Sequence, residues 1–175
     1  MTDIKDAASV TTGPEVRAPD WDLLYRVHAG GILRYCRRLA KNNETAEELM
    51  QDTFTRVLRA GSVPADSDAA RRWLYRIATN ATIDRLRRER LVRFVPFIGR
   101  EQAPEVSSED ADLVRRALRS IPPEQATALV LRLHEGFGPA EIAEMLGISE
   151  AAVKARLVRG RRRFIEAYER NGGQL

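Results

Sequence analysis

Two segments of this 175-residue chain concentrate cations of the kind that bind nucleic acid. Residues 71–93 carry eight arginines against two acids. Residues 151–163 carry no acid and six cations, which are Lys154, Arg156, Arg159, Arg161, Arg162 and Arg163. The planar guanidinium fork suits phosphate oxygens and guanine edges. A GC-rich genome also favours arginine codons. The arginine content alone therefore does not distinguish nucleic-acid binding from codon bias, and the placement of the cations decides between the two.

The other reactive residues are too few for the common catalytic sites. Cys36 is the single cysteine, which excludes a disulfide framework or a cysteine zinc site within one chain. His28 and His134 have no carboxylates at ligand spacing, and the glycines form neither a dinucleotide nor a P-loop motif. An enzyme acting on nucleic acid would need a metal–carboxylate cluster. We therefore expect no metal, no cofactor and no enzymatic activity, and we interpret Cys36 as buried packing rather than a redox sensor.

Apolar residues recur at helical spacing through the first half of the chain. They predict helices over 21–39, from Asn43 or Thr45, and from about Ala69 to 92. Residues 45–48 form a capping-box pattern, and Gly61 ends the second helix, which leaves 61–69 as a polar loop. No segment alternates with period two for long enough to demand a strand, so the protein should be all-α.

The segment that begins at Pro139 has the pattern of a helix-turn-helix. Pro139 opens a short helix, Gly147 can take the left-handed conformation of a tight turn, and Ser149 caps the next helix. The predicted buried stripe of that second helix is Val153, Leu157, Phe164 and Tyr168. Two packed helices with a solvated basic face are the alternative, and the six unopposed cations favour DNA binding.

Three blocks in this order resemble the extracytoplasmic-function (group IV) sigma factors of the sigma-70 family. They are AEELMQDTFTRVLR at 46–59, RRWLYRIATNATIDRLRRER at 71–90 and the helix-turn-helix block at 121–164. The resemblance implies two small helical domains joined by a flexible linker. The expected divisions are a disordered tail at 1–19, region 2 as a helical bundle at 20–93, the linker at 94–109 and region 4 at 110–171.

The resemblance also implies an alternative bacterial sigma factor, which directs promoter recognition, DNA melting and transcription initiation. Its implied partners are core RNA polymerase, through the beta-prime clamp helices and the beta flap, promoter DNA and an anti-sigma factor. The implied location is the cytoplasm, with no direct membrane insertion. A conventional regulator with a ligand-sensing or dimerising N-terminal part is the alternative. The second basic segment disfavours it, and addition of the chain to core polymerase discriminates between the two.

The site residues are assigned by position within the matching blocks. The implied contacts to core polymerase are Glu47, Glu48, Gln51 and Asp52, on the polar side of the second helix. The implied contacts to the single-stranded minus-ten element are Arg76, Asn80, Asp84, Arg87 and Arg88, with Asp84 holding one of the two arginines. The implied contacts to the minus-thirty-five duplex are Arg132, Lys154, Ala155, Arg156, Val158 and Arg159. Trp73 is either a base-stacking platform or core, and its apolar neighbours favour core.

Overall fold

All regular structure that the computed structural model describes, over residues 20–92 and 109–174, is α-helical. The helices are α1 (Trp21–Leu39), α2 (Asn43–Ala60), α3 (Ser67–Val92), α4 (Glu109–Ser120), α5 (Pro123–Leu133), α6 (Pro139–Leu146) and α7 (Glu150–Arg170). The all-α expectation is confirmed. The predicted tail at 1–19 and the predicted linker lie outside the described residues, apart from Glu109, which begins α4.

The first three helices form an N-terminal bundle around apolar side chains from each of them. Ile32, Val57 and Leu74 are fully buried, one from each helix. Tyr35 is also buried, and its hydroxyl lies 2.8 Å from the Thr79 hydroxyl of α3. A buried polar group needs such a partner, so this pair fixes the register of α1 against α3.

Cys36 lies in the same core with no exposed surface, which confirms its interpretation as packing. Burial raises the pKa of its thiol to about 12. A raised pKa disfavours the thiolate, which is the nucleophilic form of cysteine.

The helix α2 begins at Asn43, one of the two predicted starts, but its cap and the start of α3 differ from the sequence predictions. Asn42 caps α2 by accepting a hydrogen bond from the Thr45 backbone N–H at 2.9 Å, so the capping box predicted at Thr45 is wrong. Thr45 itself is buried inside the helix. The Asp66 carboxylate accepts from the Ala69 backbone N–H at 2.6 Å, so α3 begins at Ser67 and the polar loop is shorter than predicted.

The remaining helices form a C-terminal bundle in which α6 and α7 make the predicted helix-turn-helix. Gly147 has φ +63°, and its N–H bonds to carbonyls of α6. Ser149 accepts from the Ala152 N–H at 3.2 Å and caps α7. Val153 is fully buried beneath the turn, whereas Leu157 is half-buried. The predicted turn, cap and first buried contact are confirmed.

The two bundles pack directly against each other. Helices α1 and α3 of the N-terminal bundle contact α5 of the C-terminal bundle, and α3 also contacts α6. The connection between α5 and α6 enters this junction, because Phe137 there is 1% exposed. The sequence reasoning treated the two halves as separate domains and contained no indication of this contact.

Candidate nucleic-acid and polymerase interfaces

The arginine-rich helix α3 is sharply two-sided. Its inward side buries Leu74, Ala78 and Thr82 against α1 and α2. Its outward side exposes all five predicted minus-ten residues, namely Arg76, Asn80, Asp84, Arg87 and Arg88. The predicted stripe therefore exists as one exposed face of a single helix.

The role predicted for the Asp84 carboxylate within this stripe is wrong. Arg87 does not turn to Asp84 but crosses to the C-terminal bundle, where its Nε donates to Glu124 Oε1 at 2.8 Å. Arg88 donates to the backbone carbonyl of Asp84 at 3.2 Å rather than to its carboxylate. Docking of α5 against α3 places the Glu124 carboxylate within reach of the Arg87 guanidinium.

Trp73 lies between the two sides of α3. Its side chain is half-buried and packs on the apolar core. The prediction that Trp73 is core is confirmed, and its indole does not form a fully exposed stacking platform.

The start of α7 exposes the predicted recognition face. Lys154, Val158 and Arg159 are exposed, while Ala155 and Arg156 are half-buried. Val158 is 72% exposed, so its side chain is available to a partner. Lys154 pairs with Glu150 one turn earlier at 2.7 Å.

Arg132 lies on the preceding helix α5 rather than on α7. It is exposed, and it donates weakly to the Phe137 carbonyl at 3.4 Å. This contact holds the guanidinium beside the α5–α6 connection.

Residues from both predicted DNA-binding faces line one cleft of about 460 Å³ between the bundles. Its walls include Asn80, Asp84 and Arg87 of α3, Arg156 of α7 and Glu124 of α5. The structure thus brings part of the minus-ten set and part of the minus-thirty-five set together. The other predicted residues of the minus-thirty-five set are not among those that line the cleft.

Glu124 is a site residue that the sequence analysis missed. Burial alone would raise the pKa of its carboxyl. Hydrogen bonds from its own backbone N–H and from Arg87, together with the charge of Arg156, outweigh burial and hold the pKa below its usual value. Glu124 is therefore ionised at neutral pH beside arginines from both faces. The signal in the sequence was an acid at the first turn of a helix, which does not reveal a distant partner.

The polar side of α2 carries the predicted polymerase contacts. Glu47, Glu48 and Gln51 are exposed and Asp52 is half-buried. The three acids pair with arginines at 3.8 Å (Glu47–Arg37), 3.2 Å (Glu48–Arg85) and 2.9 Å (Asp52–Arg56). Pairs this exposed contribute little stability, so their carboxylates can exchange partners at low cost.

No group of three or more histidine, cysteine or acidic side chains in residues 20–92 and 109–174 is arranged to hold a metal ion. Within the same stretches, no helix has the length and apolar character needed to cross a membrane.

Comparison with known families gives two matches in the chain order that the sequence blocks predict. The model of sigma-70 region 2 matches residues 24–92, and the model of sigma-70 region 4 matches residues 111–164. Together they span most of the chain. This chain belongs to the sigma-70 family.

Curated relatives show that it belongs to the extracytoplasmic-function (ECF) group of that family. The chain is 36% identical over 167 residues to the ECF RNA polymerase sigma factor SigE of Mycolicibacterium smegmatis, covering 87% of this chain and 63% of that protein. It is 36% identical over 150 residues to the ECF sigma factor SigM of Mycobacterium tuberculosis, covering 82% of this chain and 74% of that protein. The chain therefore spans slightly less than two thirds of the length of the SigE relative.

Solved structures share the fold. The sigma factor RpoE of Bartonella quintana, in complex with the anti-sigma factor NepR, superposes with a TM-score of 0.65 at 21% identity, over 86% of this chain and 97% of that chain. CnrH, in complex with the cytosolic domain of CnrY, superposes with a TM-score of 0.59 at 23% identity, over 85% and 87% of the two chains. At this level of identity the likeness concerns the arrangement of helices.

Proposed function

We propose that this chain is an alternative sigma factor that binds core RNA polymerase and directs it to a set of promoters. The observation that carries the proposal is the occurrence, in one ECF-family chain, of two separate exposed basic faces on α3 and α7. A conventional regulator needs only the second of them. We further propose that residues 20–93 and 110–171 act as regions 2 and 4, and that an anti-sigma factor controls them, as the complex of the RpoE neighbour with the anti-sigma factor NepR suggests.

The α3 face is proposed to bind the non-template strand of the minus-ten element after the duplex melts. Asn80 offers both a donor and an acceptor to a base edge, and Arg76, Arg87 and Arg88 offer cations to the backbone. Exposure of all four side chains along one helix supports this role. Because unpaired bases are needed, the face should prefer single-stranded DNA over duplex.

The α7 face is proposed to read the minus-thirty-five duplex in the major groove. Lys154 lies in the first turns after the Ser149 cap, where a docked helix approaches base edges most closely. Ala155 and Val158 supply apolar contacts that suit a thymine methyl group, and Arg156 and Arg159 supply hydrogen-bond donors. Arg132 on α5 is proposed to contact the phosphate backbone of the DNA.

The acidic face of α2 is proposed to dock on core polymerase. Glu47, Glu48, Gln51 and Asp52 form this face, and its charge calls for a basic partner surface, which in this family is the beta-prime clamp helices. The beta flap is the proposed partner of the C-terminal bundle. We propose that the protein works in the cytoplasm without a cofactor or a catalytic centre of its own.

Run-off transcription tests the proposed function directly. The purified chain is added to core polymerase with a library of genomic fragments, and the transcripts are sequenced. We expect start sites that share two conserved elements and that depend on the added chain. If core polymerase does not retain the chain and no dependent transcript forms, while the chain still binds duplex DNA, the conventional regulator is the better explanation.

A further inference from the structure

One exposed arginine of α7 is held by a buried side chain of α5. Gln125, in the first turn of α5, is 8% exposed, and its Oε1 accepts a hydrogen bond from Arg163 Nη1 at 3.3 Å. Arg163 itself is exposed. A buried polar side chain keeps few conformations, because the packing around it closes the other rotamers. The contact therefore ties a long, flexible cationic side chain to a fixed point of the C-terminal bundle.

Gly160 brings α7 close enough to α5 for this contact. It is buried where the two helices cross, and a Cβ there would lie 3.2 Å from Gln125 Cβ. Arg163 follows about one turn later, and residues three apart are neighbours on a helix surface. The Arg163 side chain therefore leaves α7 at the edge of the contact with α5, within reach of the Gln125 amide.

Arg163 continues a row of arginines that begins in the proposed DNA-binding face of α7. Arg156, Arg159 and Arg163 follow one another at spacings of three and four residues, which places them along one edge of the helix. Arg156 and Arg159 are already proposed as hydrogen-bond donors to DNA. A third arginine in line with them lies toward the C-terminal end of α7, where a helix leaving the major groove passes phosphates.

The partner of Arg163 differs in charge from the partners of Lys154 and Arg162. Each of those two cations pairs with a carboxylate four residues away on α7, which offsets its charge. An amide oxygen orients a guanidinium but carries no charge to offset it. Arginine also has five N–H donors, and the contact to Gln125 is made through Nη1. A phosphate can therefore bind to the remaining donors of Arg163 while the Gln125 contact stays in place.

We propose that Arg163 binds a DNA phosphate and that Gln125 is the positioning residue that holds the Arg163 guanidinium for this contact. Both roles rest on the proposed DNA-binding function of α7, to which they add one contact. Gln125 does not itself touch DNA. It reduces the conformational freedom that the Arg163 side chain loses when the complex forms, and the affinity for DNA rises accordingly.

A double-mutant cycle in the full chain measures whether the two side chains act together. Gln125→Met keeps the approximate length of a buried side chain and removes the acceptor, and Arg163→Met removes the cation. The affinity for a labelled random-sequence duplex is measured for the single and double variants, at several salt concentrations and well below the melting temperature of each. Arg162→Met is the matched control, because it removes a neighbouring exposed arginine of α7 that pairs with Glu166 instead.

The variants should differ in how their losses combine. Arg163→Met should weaken duplex binding and reduce the salt slope by about one unit, because one phosphate contact is lost. Gln125→Met should weaken binding about twofold to tenfold, the range that one hydrogen bond of usual strength covers. It should have no further effect once Arg163 is replaced, but its full effect when Arg162 is replaced.

The results that would overturn these roles differ from a failure of the proposed function. No loss for Gln125→Met, or an equal loss in every background, would show that Gln125 supports the fold without positioning Arg163. Weaker binding by Arg162→Met but not by Arg163→Met would remove the Arg163 contact and leave the α7 face in place. Unchanged binding in both arginine variants would contradict the α7 face itself. None of these results depends on run-off transcription, which separately tests the sigma function.

Discussion

Arg87 of α3 and Glu124 of α5 form an ion pair across the two bundles, with Arg87 Nε donating to Glu124 Oε1 at 2.8 Å. Arg87 belongs to the stripe proposed to contact the minus-ten strand, whereas Glu124 lies in the first turn of α5 in the C-terminal bundle. The pair therefore joins the N-terminal and C-terminal bundles through Arg87, a residue that is also proposed to contact DNA.

This pair should make a modest and acid-sensitive contribution to stability. Because the Arg87 side chain is 59% exposed, a double-mutant cycle of Arg87→Gln and Glu124→Gln should give a coupling of about 0.2–1 kcal/mol in urea unfolding at neutral pH. The lowered pKa of Glu124 means that its contribution is present above the usual carboxyl pKa of 4.5 and is lost as pH falls through the native value. Glu124→Gln should therefore lose less stability than the wild type on acidification below about pH 5. Zero coupling would show that the contact is not maintained in solution.

Substitution of two helical glycines by alanine should have opposite effects on stability, because one lies at a close contact between helices and the other does not. A Cβ at Gly160 would lie 3.2 Å from Gln125 Cβ and 3.3 Å from Leu129 Cδ1, where α7 crosses α5. A Cβ at Gly30 would meet only the end of the Arg34 side chain at 3.4 Å. Alanine in a helix gains about 0.5–1 kcal/mol over glycine. Gly30→Ala should therefore raise the melting temperature and Gly160→Ala should lower it. A rise for both would mean that α7 does not approach α5 so closely.

Helical periodicity sufficed to predict α1, α2, α3 and the helix pair α6 and α7, with the turn at Gly147 and the Ser149 cap, because these depend on residues close in sequence. The sequence left the start of α2 open between Asn43 and Thr45, since Asn42 and Thr45 are both adequate caps and only the backbone conformation selects Asn42. Glu124 and Phe137 were missed because their partners lie in the other bundle. Their positions depend on how two amphipathic bundles dock, which local spacing does not determine.

Reversing charge on α2 should weaken binding to core polymerase without affecting DNA binding. Glu48→Lys and Asp52→Lys each replace a carboxylate by a cation that repels the proposed basic surface of the partner. The affinity for core polymerase should therefore fall about tenfold or more. Glu169→Lys, in the last turn of α7, is a control with the same charge change. Affinity is measured by fluorescence titration with core polymerase, and duplex binding of the full chain is measured in parallel. An equal loss in both assays would point to misfolding or to a wrong assignment of the α2 face.

Asn80→Ala should impair promoter opening more than closed-complex formation. The Asn80 amide is exposed on α3, and the bases that it is proposed to contact are unpaired only after melting. Permanganate reactivity of thymines reports melting, and filter binding before melting reports the closed complex. We expect weaker permanganate footprints at nearly normal closed-complex affinity. Unchanged footprints would remove Asn80 from the minus-ten contact.

Lys154 and Arg162 lie on the same helix, α7, and are proposed to do different things. Lys154 is proposed to contact DNA bases, and Arg162 is proposed to contact the DNA phosphate backbone. Both are exposed, and each is paired with a carboxylate four residues away, Glu150 at 2.7 Å and Glu166 at 3.6 Å. Their substitution by alanine therefore removes the same kind of local interaction. Lys154 lies near the N-terminal end of α7, which approaches base edges, and Arg162 lies two turns later, where a helix leaving the groove passes phosphates.

The two variants should consequently fail in different ways. Lys154→Ala should change discrimination between promoter variants by about 1–3 kcal/mol at one base pair. Arg162→Ala should weaken binding to all sequences nearly alike and reduce the salt slope by about one unit, because one phosphate contact is lost. Titrations of matched and singly substituted duplexes at several salt concentrations measure both quantities. If both variants lose the same affinity for every DNA sequence, α7 contacts only the DNA phosphate backbone and no bases, and the proposed docking is wrong.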